Sequence, residues 1–480
     1  MKSLLLKLLP KSLLLIYHKS MAIVANFYYG KSSEKLIVIG VTGTNGKSST
    51  CRFIADILKT AGHKVGLTST VEFEIAGRHW LNDKKMTMLG RFALQKMIAD
   101  MVSAGCTHAV IETSSEGIKQ FRHYGINYDL VVFTNLTPEH LESHGGFENY
   151  RAAKGELFKH LTTKPHKNRL RGRGHVTAPS ASADQNSPAQ IPKISVINLD
   201  DEHASYFLQF PADQKFGYAV KTKYDITGVT EIRAKNLQLG QLGFSFTINN
   251  TDFNCPLLGE FNALNCLAAI TTSLALNIKP EIIKEAVLNL KTVPGRLEII
   301  TREPFTVIVD QAPEPAAMKK LYEAISTVLR VGVPTNTPSK IIHLLGSCGG
   351  GRDKARRPIL GELAAKFADY VIITNEDPYD ENPETIINEV TQGALKAGKT
   401  EKKNLFKILD RREAIRKALE LAASSESDSE ASESDSDNIV QKPLVLITGK
   451  GAEQAICIAG GKKIKWDDRI VVREELDKLK

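Results

Sequence analysis

The stretch from Leu36 to Leu58 constrains the fold more than any other part of the chain. It begins with the apolar run Leu36–Ile39, which predicts a buried strand, and continues into a loop with two glycines, Gly43 and Gly46. Residues 50–58 then place apolar side chains at helical spacing. A strand, a glycine-rich loop and a helix in direct succession are typical of a parallel α/β sheet, so we expect the α/β fold class.

The loop between this strand and helix has the chemistry of a phosphate-binding site. Its backbone N–H groups and the helix N-terminus would face the anion, Lys47 would reach the terminal phosphates, and the Ser48 hydroxyl could bind Mg²⁺. The spacing Gly43-x-x-Gly46-Lys47-Ser48 is not the strict G-x-x-x-x-G-K-[ST], and a glycine-rich loop alone could be an ordinary turn. With its flanking strand and helix, it predicts an ATP site. The residues expected to hold the nucleotide are Gly43, Thr44, Asn45, Gly46, Lys47, Ser48 and Ser49.

Composition excludes several other classes of protein. The chain has 480 residues, enough for two or three domains, and its charged fraction of 24% is that of a globular protein. No nucleic-acid-binding motif accompanies the formal charge of +9. The six cysteines form no C-x-x-C pair. Neither a zinc site nor a disulfide framework is therefore indicated, which suits a reducing cytosol.

Two α/β units follow one another along the chain. Strand and helix patterns alternate over residues 36–295, predicting a doubly wound parallel sheet, with short alternating strands at 215–257 that predict an antiparallel flap. A second alternating unit occupies residues 296–480. Two stretches break the pattern, namely 163–192, which is basic and then rich in Ser, Ala and Pro, and the acidic Ser/Asp/Glu tract 424–438. Both are predicted to be flexible surface loops.

Residues 1–35 form an apolar and basic extension. Lys7, Pro10, Lys11 and Lys19 interrupt its apolar runs, so a membrane-spanning helix of about 18 apolar residues is not expected. Lysines beside leucine and aromatic residues would suit a helix lying on an anionic membrane surface, and a helix packed on the body of the protein fits equally well. We expect a cytoplasmic monomer, with attachment to the inner face of the membrane as the open alternative.

Two further strand ends carry candidate metal ligands. Glu112 ends an apolar strand, and His140 follows the strand Leu130–Phe133. Ligands collect at the carboxyl ends of strands in an open α/β sheet, and a carboxylate there suits a Mg²⁺ ion that also binds phosphate. Taken alone, either residue would more often be structural, so the surrounding patterns carry the assignment.

The string Thr42-Gly43-Thr44-Asn45-Gly46-Lys47-Ser48 resembles the P-loop of the Mur ligase family. Members of this family use ATP to form amide bonds through an acyl phosphate. Seven or eight motifs in the family's order extend the resemblance over about residues 36–480. It implies a P-loop central ATPase domain with a parallel sheet, followed by a C-terminal Rossmann-like α/β domain.

The same resemblance implies a magnesium site. Glu112-Thr113-Ser114-Ser115 is similar to the Glu-Val-Ser-Ser segment of the branch that adds the third amino acid to UDP-N-acetylmuramoyl-dipeptide, where the glutamate binds magnesium. His140 matches a metal-binding histidine, with Glu139 and Glu142 replacing the usual aspartates. Lys154 matches a lysine that reacts with CO₂ to give a carbamate. The implied catalytic residues are Lys47, His140 and Lys154, and the implied metal site is Ser48, Glu112, His140 and Lys154.

Other motif matches imply nucleotide and substrate contacts. Gly259–Asn265 matches Gly-x-Phe-Asn-x-x-Asn, which implies that Asn262 and Asn265 read adenine, although both could equally be helix caps. Arg296 would meet ATP at the domain junction, and Asp310 would bind ribose. The implied substrate-binding residues are Thr87, Ser114, Gln120 and Arg122 for the muramoyl peptide, and Arg352, Glu376, Asp377, Gly449 and Glu453 for the amino acid.

The amino-acid subsite predicts a choice of acceptor. By the family match Arg352 would hold the α-carboxylate, a use that suits a planar bidentate cation. Glu453, with Glu376 or Asp377, would receive a distal ammonium, and Tyr379 stands where diaminopimelate users carry arginine. We therefore expect lysine-like acceptors in preference to diaminopimelate.

The chain also departs from the family pattern. Residues 1–35 are too short for the domain that grips the uridine nucleotide, and Glu116 replaces a usual histidine. Met86–Gly90 stands for Asn-Thr-Thr-Pro-Gly, Asp310–Pro313 for Asp-Tyr-Ala-His, and Glu376–Tyr379 for Asp-Asn-Pro-Arg. These changes weaken the case for the usual UDP-linked substrate and leave the ATP and metal machinery largely intact.

The expected function is an ATP-dependent, ADP-forming amide ligase that adds an amino acid to a UDP-N-acetylmuramoyl-dipeptide-like substrate in peptidoglycan synthesis. One alternative is an ATPase subunit that activates a lipid-linked peptidoglycan carboxylate for a partner amidotransferase. The short N-terminus favours it, whereas Arg352 and Glu453 disfavour it. Another is a nucleotide-dependent binding or scaffold protein that has lost ligation. The presence of four residues argues against it, namely Lys47, Glu112, His140 and Lys154.

Overall fold

The computed structural model describes residues 11–139, 141–168, 190–221, 226–312, 314–330, 340–430 and 442–479. Its helices are α1 (Lys11–Tyr28), α2 (Lys47–Thr60), α3 (Arg91–Ser103), α4 (Ser115–Lys119), α5 (Leu141–His144), α6 (Phe147–Leu161), α7 (Ala204–Leu208), α8 (Glu260–Ala275), α9 (Pro280–Leu288), α10 (Pro315–Arg330), α11 (Arg356–Phe367), α12 (Pro383–Lys396), α13 (Arg411–Glu430) and α14 (Asp468–Asp477).

The strands of the N-terminal unit are β1 (Ile37–Thr42), β2 (Val65–Thr68), β3 (Glu72–Ile75), β4 (Arg78–Leu81), β5 (His108–Glu112), β6 (Leu130–Phe133), β7 (Lys167–Asn168), β8 (Gln190–Ile191), β9 (Ile194–Asn198), β10 (Gln214–Ala219), β11 (Val229–Arg233), β12 (Lys235–Gly240), β13 (Gly243–Ile248) and β14 (Thr251–Cys255). Those of the C-terminal unit are β15 (Glu298–Thr301), β16 (Thr306–Asp310), β17 (Ile341–Leu345), β18 (Tyr370–Thr374), β19 (Leu405–Ile408), β20 (Leu444–Thr448), β21 (Ala455–Ile458) and β22 (Lys462–Lys465).

The N-terminal unit is built on a nine-stranded sheet in the order β11-β10-β9-β6-β1-β5-β2-β3-β4. The strands from β11 to β2 in this order run parallel, and β3 and β4 add an antiparallel edge. In the middle, Val41 of β1 pairs with Glu112 of β5 on one side and Val132 of β6 on the other. The carboxyl ends of β1, β5 and β6 are therefore neighbours, which confirms the predicted α/β class and places the glycine loop beside Glu112.

Both faces of this sheet are covered, which explains why its central strands are apolar throughout. Ile39 and Val41 of β1 belong to a core with Ile54 of α2 and Leu267 of α8. Val38, one position out of phase, belongs to the core on the other face with residues of α3 and α6. Side chains alternate between the faces at a period of two. The glycine loop is thus held by a strand packed on both sides.

The antiparallel flap is partly confirmed. β12, β13 and β14 form a separate three-stranded antiparallel sheet. β10 and β11, inside the same predicted segment, instead extend the main sheet in parallel, and Tyr218 and Ala219 of β10 are buried there. The prediction of a flap is therefore wrong for these two strands, because alternation along a strand does not show the direction of its partner.

The C-terminal unit contains a six-stranded sheet in the order β15-β16-β20-β17-β18-β19. All its neighbours pair in parallel except β15, which is antiparallel to β16. α11 and α12 belong to the core on one face, and α13 and α14 to the core on the other. Asp310 ends β16 and Thr374 ends β18, so this sheet also directs its strand ends toward one side.

Helix α1 is packed on the N-terminal unit, and it also has an exposed apolar face. Ala22 and Ala25 are buried, and a Cβ on Gly125 would lie 2.7 Å from the Ala22 carbonyl oxygen. Ile16 and Phe27, at helical spacing on the opposite face, are 61% and 75% exposed. Within the described residues, no helix has both the length and the apolar content to cross a membrane.

The two predicted loops differ from expectation at their edges. Lys167 is buried, and its ammonium donates to the Asp129 carboxylate at 2.6 Å and to the Leu36 and Asn127 carbonyls, so the 163–192 segment is not flexible throughout. β7 and β8, which lie immediately before and after residues 169–189, pair with each other. α13 continues to Glu430, so a loop over 424–430 is wrong, because a helix already formed and anchored by buried Ile415 and Leu419 can extend by one hydrogen bond per residue even through Ser and Asp. Residues 169–189 and 431–441 lie outside the described residues.

Candidate active site

A cleft with a cavity volume of about 420 Å³ lies between the two units. One side is formed by the glycine loop and the ends of β5 and β6, and the other by strand ends and loops of the C-terminal unit. The predicted site residues that line it are Thr44, Asn45, Gly46, Lys47, Ser48, Ser49, Thr87, Glu112, Ser114, Lys154, Asn265, Arg296, Asp310, Arg352, Glu376, Asp377, Gly449 and Glu453.

The glycine loop has a shape that only glycine allows at two positions. Gly46, directly before α2, has φ +81°, and a Cβ there would lie 2.1 Å from Asn265 Oδ1. Gly43 has φ +152°, and a Cβ there would lie 2.0 Å from Thr134 Oγ1. Both glycines are therefore required by the backbone angle and by the close approach of a neighbouring side chain.

The polar residues after β6 hold this loop in place. Asn135 Oδ1 accepts from the Asn45 N–H at 2.9 Å, and Asn135 Nδ2 and Thr134 Oγ1 donate to the Asn45 carbonyl at 3.0 and 2.7 Å. The loop is thereby fixed at both backbone groups of Asn45. Thr134 and Asn135 directly follow the predicted strand Leu130–Phe133, but sequence reasoning gave them no role.

Lys47 and Lys154 meet at the loop. Lys47 Nζ donates to the Thr44 carbonyl and Lys154 Nζ to the Gly43 carbonyl, both at 2.6 Å. Lys154 is 1% exposed, and its ammonium lies 4.4 Å from the centroid of the Tyr150 ring. Burial, followed by the charge of Lys47, lowers the pKa of Lys154 well below the ordinary lysine value. Lys154 therefore carries an amine that is neutral at lower pH than a surface lysine would be.

Glu112 is surrounded by hydroxyl and amide donors. Its carboxylate accepts from Ser48 Oγ at 2.8 Å, from Thr70 Oγ1 at 2.8 Å and from the Thr70 N–H at 2.7 Å. Thr70 Oγ1 is in turn 3.0 Å from Thr87 Oγ1. Sequence reasoning missed Thr70, although it follows β2 at the carboxyl end of a parallel strand, the same kind of position that made Glu112 a candidate.

The predicted metal ligands are brought together only in part. Ser48 and Glu112 are in contact, and Lys154 lines the same cleft. His140 lies outside the described residues. Among the residues that the structure describes, no group of three or more His, Cys, Asp or Glu side chains could hold a metal ion.

Three of the four predicted nucleotide contacts outside the glycine loop line the cleft, namely Asn265, Arg296 and Asp310. Gly259 precedes α8, so neither Asn262 nor Asn265 caps that helix. Asn262 donates to the Leu258 carbonyl at 2.9 Å, whereas Asn265 lines the cleft. Asp310 accepts from the Leu297 and Ala312 N–H groups at 2.6 and 2.7 Å, and burial raises its pKa.

Two of the four predicted muramoyl-peptide contacts do not line the cleft. Thr87 and Ser114 do, and Ser114 Oγ also accepts from the Gly117 N–H at 3.1 Å as the cap of α4. Gln120 and Arg122 instead bond to each other at 2.7 Å. Arg122 also donates to the Met88 carbonyl.

On the C-terminal side, the predicted amino-acid residues form what we call the acceptor wall, consisting of Arg352, Glu376, Asp377, Gly449 and Glu453. Its acidic residues are not free, because Lys85 and Lys450 pair with both Asp377 and Glu453. Close packing at the domain junction brings this wall to the cleft. Gly295 has φ +66°, and a Cβ there would lie 2.2 Å from the Ala452 amide nitrogen.

Comparison of the chain with known proteins identifies its family. Residues 41–167 and 185–273 match the Mur ligase middle domain, and residues 295–451 match the Mur ligase glutamate ligase domain. The UDP-N-acetylmuramyl-tripeptide synthetase of Roseiflexus sp. is 33% identical over 467 residues, which cover 96% of this chain and 82% of that protein. The chain belongs to the Mur ligase family. A UDP-N-acetylmuramoyl-L-alanyl-D-glutamate--2,6-diaminopimelate ligase of Bacillus cereus is 31% identical, with coverage of 95% and 82%.

Solved structures of the family share the fold. A UDP-N-acetylmuramoyl-L-alanyl-D-glutamate--2,6-diaminopimelate ligase is 25% identical, with a TM-score of 0.55 and coverage of 93% of this chain and 79% of that one. The folylpolyglutamate synthase of Mycobacterium tuberculosis is 16% identical, with a TM-score of 0.61 and coverage of 90% and 92%. The predicted function class is confirmed. This Mur ligase is an ATP-dependent, ADP-forming amide ligase of peptidoglycan synthesis, and the amidotransferase-subunit alternative is not favoured.

Proposed function

We propose that this Mur ligase joins an amino acid to the terminal carboxylate of a UDP-N-acetylmuramoyl-dipeptide-like donor. The observation that carries the proposal is that one cleft holds the glycine loop on one side and an arginine-bearing acceptor wall on the other. A donor carboxylate oxygen attacks the γ-phosphorus of ATP, and ADP leaves. The amino-acid nitrogen then attacks the acyl carbon of the acyl phosphate, inorganic phosphate leaves, and the nitrogen loses a proton to complete the amide.

Each side of the cleft has a part in these two steps. The glycine loop and Lys47 bind the phosphates and stabilise the negative charge that develops during phosphoryl transfer. Asn265, Arg296 and Asp310 hold the rest of the nucleotide, and Thr87 and Ser114 contact the donor. Arg352 binds the α-carboxylate of the amino acid as a planar bidentate cation.

Magnesium fits the ligands on the N-terminal side. Ser48 and Glu112 offer oxygen atoms, which Mg²⁺ prefers, and they lie at the N-terminus of α2 where phosphates are expected. The ion would neutralise charge on the phosphate oxygens. Lys154 can join these ligands only after its amine loses its charge. The lowered pKa of Lys154 favours the neutral amine that reacts with CO₂ to form a carbamate.

The test is ADP formation with a UDP-N-acetylmuramoyl-dipeptide and each amino acid in turn. We expect ADP release that requires both substrates, and Lys47→Ala should abolish it while circular dichroism shows an intact fold. Lys59→Ala, on the same helix, is the matched control and should keep activity. Amino-acid-independent ADP release, or full activity of Lys47→Ala, would refute the proposal.

We also propose that the enzyme works in the cytoplasm and contacts an anionic membrane surface through α1. Ile16, Ile23 and Phe27 form an exposed apolar stripe, and the exposed Lys19 lies on the same helix. Phe27→Glu should lower binding to phosphatidylglycerol vesicles by about tenfold, since an exposed aromatic side chain contributes roughly 1.5–3 kcal/mol when buried. Leu288→Glu, at a 57% exposed leucine of α9, is the control. Equal vesicle binding by the wild type and Phe27→Glu would exclude α1 as the contact.

A further inference from the structure

Lys85 crosses from the N-terminal unit to the acceptor wall. It follows β4 in a left-handed backbone conformation, with φ +54°. Its ammonium lies 2.6 Å from Asp377 Oδ2 and 2.9 Å from Glu453 Oε2, and it donates to the Ala455 carbonyl at 2.8 Å. The side chain is 8% exposed. The ammonium group of Lys85 therefore lies between the Asp377 and Glu453 carboxylates.

Other donors occupy the remaining acceptor sites of Asp377 and two further sites of Glu453. Asp377 accepts two bonds of 2.9 Å from Lys450 and one of 2.7 Å from the Cys457 N–H. Glu453 accepts from Lys450 at 2.6 Å and from Gln311 Nε2 at 2.7 Å. An ionised carboxylate has about four lone-pair positions, so Asp377 is saturated. The ammonium groups of Lys450 and Lys85 outweigh the effect of burial and hold the pKa of Asp377 below its usual value.

The other charged groups of the wall do not restore an acidic subsite. Glu376 is buried and accepts from Cys348 Sγ at 2.7 Å, and burial raises its pKa, which favours the neutral form. Arg352 makes no hydrogen bond or ion pair with any of the described residues, although it lines the cleft. The wall thus presents an uncommitted cation and no uncommitted, readily ionised carboxylate.

We propose that Lys85 is a specificity-determining residue that excludes diamino acids from this site. Its ammonium occupies the position that the distal ammonium of lysine, ornithine or diaminopimelate would need. A diamino acid would have to expel Lys85 or share with it the saturated Asp377 carboxylate and a Glu453 carboxylate that already accepts three contacts, and an unpaired buried ammonium is costly. The acceptor is then an amino acid with a neutral or acidic side chain. This inference rests on the proposed ligase function, and it replaces the expectation of lysine-like acceptors.

Substitution of Lys85 should alter acceptor choice. In Lys85→Met the apolar stem is kept and the two carboxylates lose one cation, so kcat/KM for L-lysine should rise at least about tenfold relative to that for the best neutral or acidic amino acid. Lys85→Arg keeps the charge and should retain wild-type selectivity. Lys84→Met is the matched control, because Lys84 is 58% exposed and, among the described residues, its side chain pairs only with the adjacent Asp83. A wild-type enzyme that prefers L-lysine, or unchanged selectivity in Lys85→Met, would overturn the proposal.

A binding measurement separates this inference from the ligase assignment. Calorimetric titration of L-lysine and L-ornithine, with a non-hydrolysable ATP analogue present, needs no donor and no turnover. We expect binding to Lys85→Met and at least about tenfold weaker binding to the wild type and to Lys84→Met. Equal affinity of wild type and Lys85→Met for L-lysine would refute the role of Lys85, even if ligation is observed. Absence of ligation with every amino acid, together with the expected binding pattern, would instead refute the proposed donor.

Discussion

Single residues in the cleft depend on contacts that come from distant parts of the chain. The sequence identified Lys154 from a motif, and the structure adds the reason for its unusual chemistry, which is burial beside Tyr150 and Lys47. Glu112 was identified from its strand end together with the motif that follows it. The donors around it, and the position of Lys85 between Asp377 and Glu453, could not be predicted, because they depend on how loops and domains pack rather than on local pattern.

Lys154→Ala should be nearly inactive and partly rescued by acetate or formate, since a small carboxylate can replace the carbamate oxygen atoms. Lys159→Ala is the control on the same helix, because Lys159 is exposed and its one ion pair within the described part of the chain is with Glu156. A carbamate carbon signal should appear in the ¹³C spectrum of the wild type with ¹³C-bicarbonate and be absent from Lys154→Ala. An active Lys154→Ala variant without added carboxylate would contradict the role.

For the helices and strands, the periodicity of apolar residues along the sequence predicted most of the buried strands and the helices that flank them. Leu130–Phe133, for example, was predicted as a strand with the bounds that the structure shows. The errors lie where burial is one-sided or where direction matters, as in the parallel pairing of β10 and β11 and the extension of α13. Short edge strands such as β3 and β4 carry charged residues and give only a weak periodic signal.

A substitution in the glycine loop tests whether the conformation of this loop is needed for ATP binding. Gly46→Ala should weaken ATP binding at least about tenfold, because the methyl group both strains a left-handed residue and overlaps Asn265. Gly62→Ala, at the other end of α2, is a matched control with φ +83° and no atom within 4 Å of the new Cβ. Calorimetric nucleotide titration measures the difference. Equal ATP affinity of the two variants would show that the overlap is unimportant.

Across the whole molecule, the two composition-biased segments should be dispensable for catalysis. Replacing residues 169–189 with a short Gly/Ser bridge joins Asn168 to Gln190, which already belong to paired strands. Deleting residues 431–441 should be equally harmless, and ADP formation should stay within about twofold. A large loss of activity with normal folding would reveal a substrate or partner role for either segment.

The deletion of residues 169–189 should not be extended to include Lys167, which is buried and paired with Asp129. Lys167→Ala should lower the free energy of unfolding by about 3 kcal/mol, because it leaves the buried Asp129 carboxylate with less compensation. Lys164→Ala, three residues earlier, should change stability little. Urea unfolding of both variants measures the contrast, and equal midpoints would show that the buried ion pair contributes nothing.

The close contact between Gly295 and the Ala452 amide allows the N-terminal and C-terminal units to approach each other only if residue 295 has no side chain. A methyl group at residue 295 cannot coexist with the close approach of the two units, so Gly295→Ala should populate a locked-open form. Small-angle X-ray scattering should then report a larger radius of gyration that nucleotide does not reduce, while Gly398→Ala leaves the scattering curve unchanged. A variant held open in this way would still bind ATP at its N-terminal unit but would release no product. The complex with ATP could therefore be isolated before the reaction proceeds.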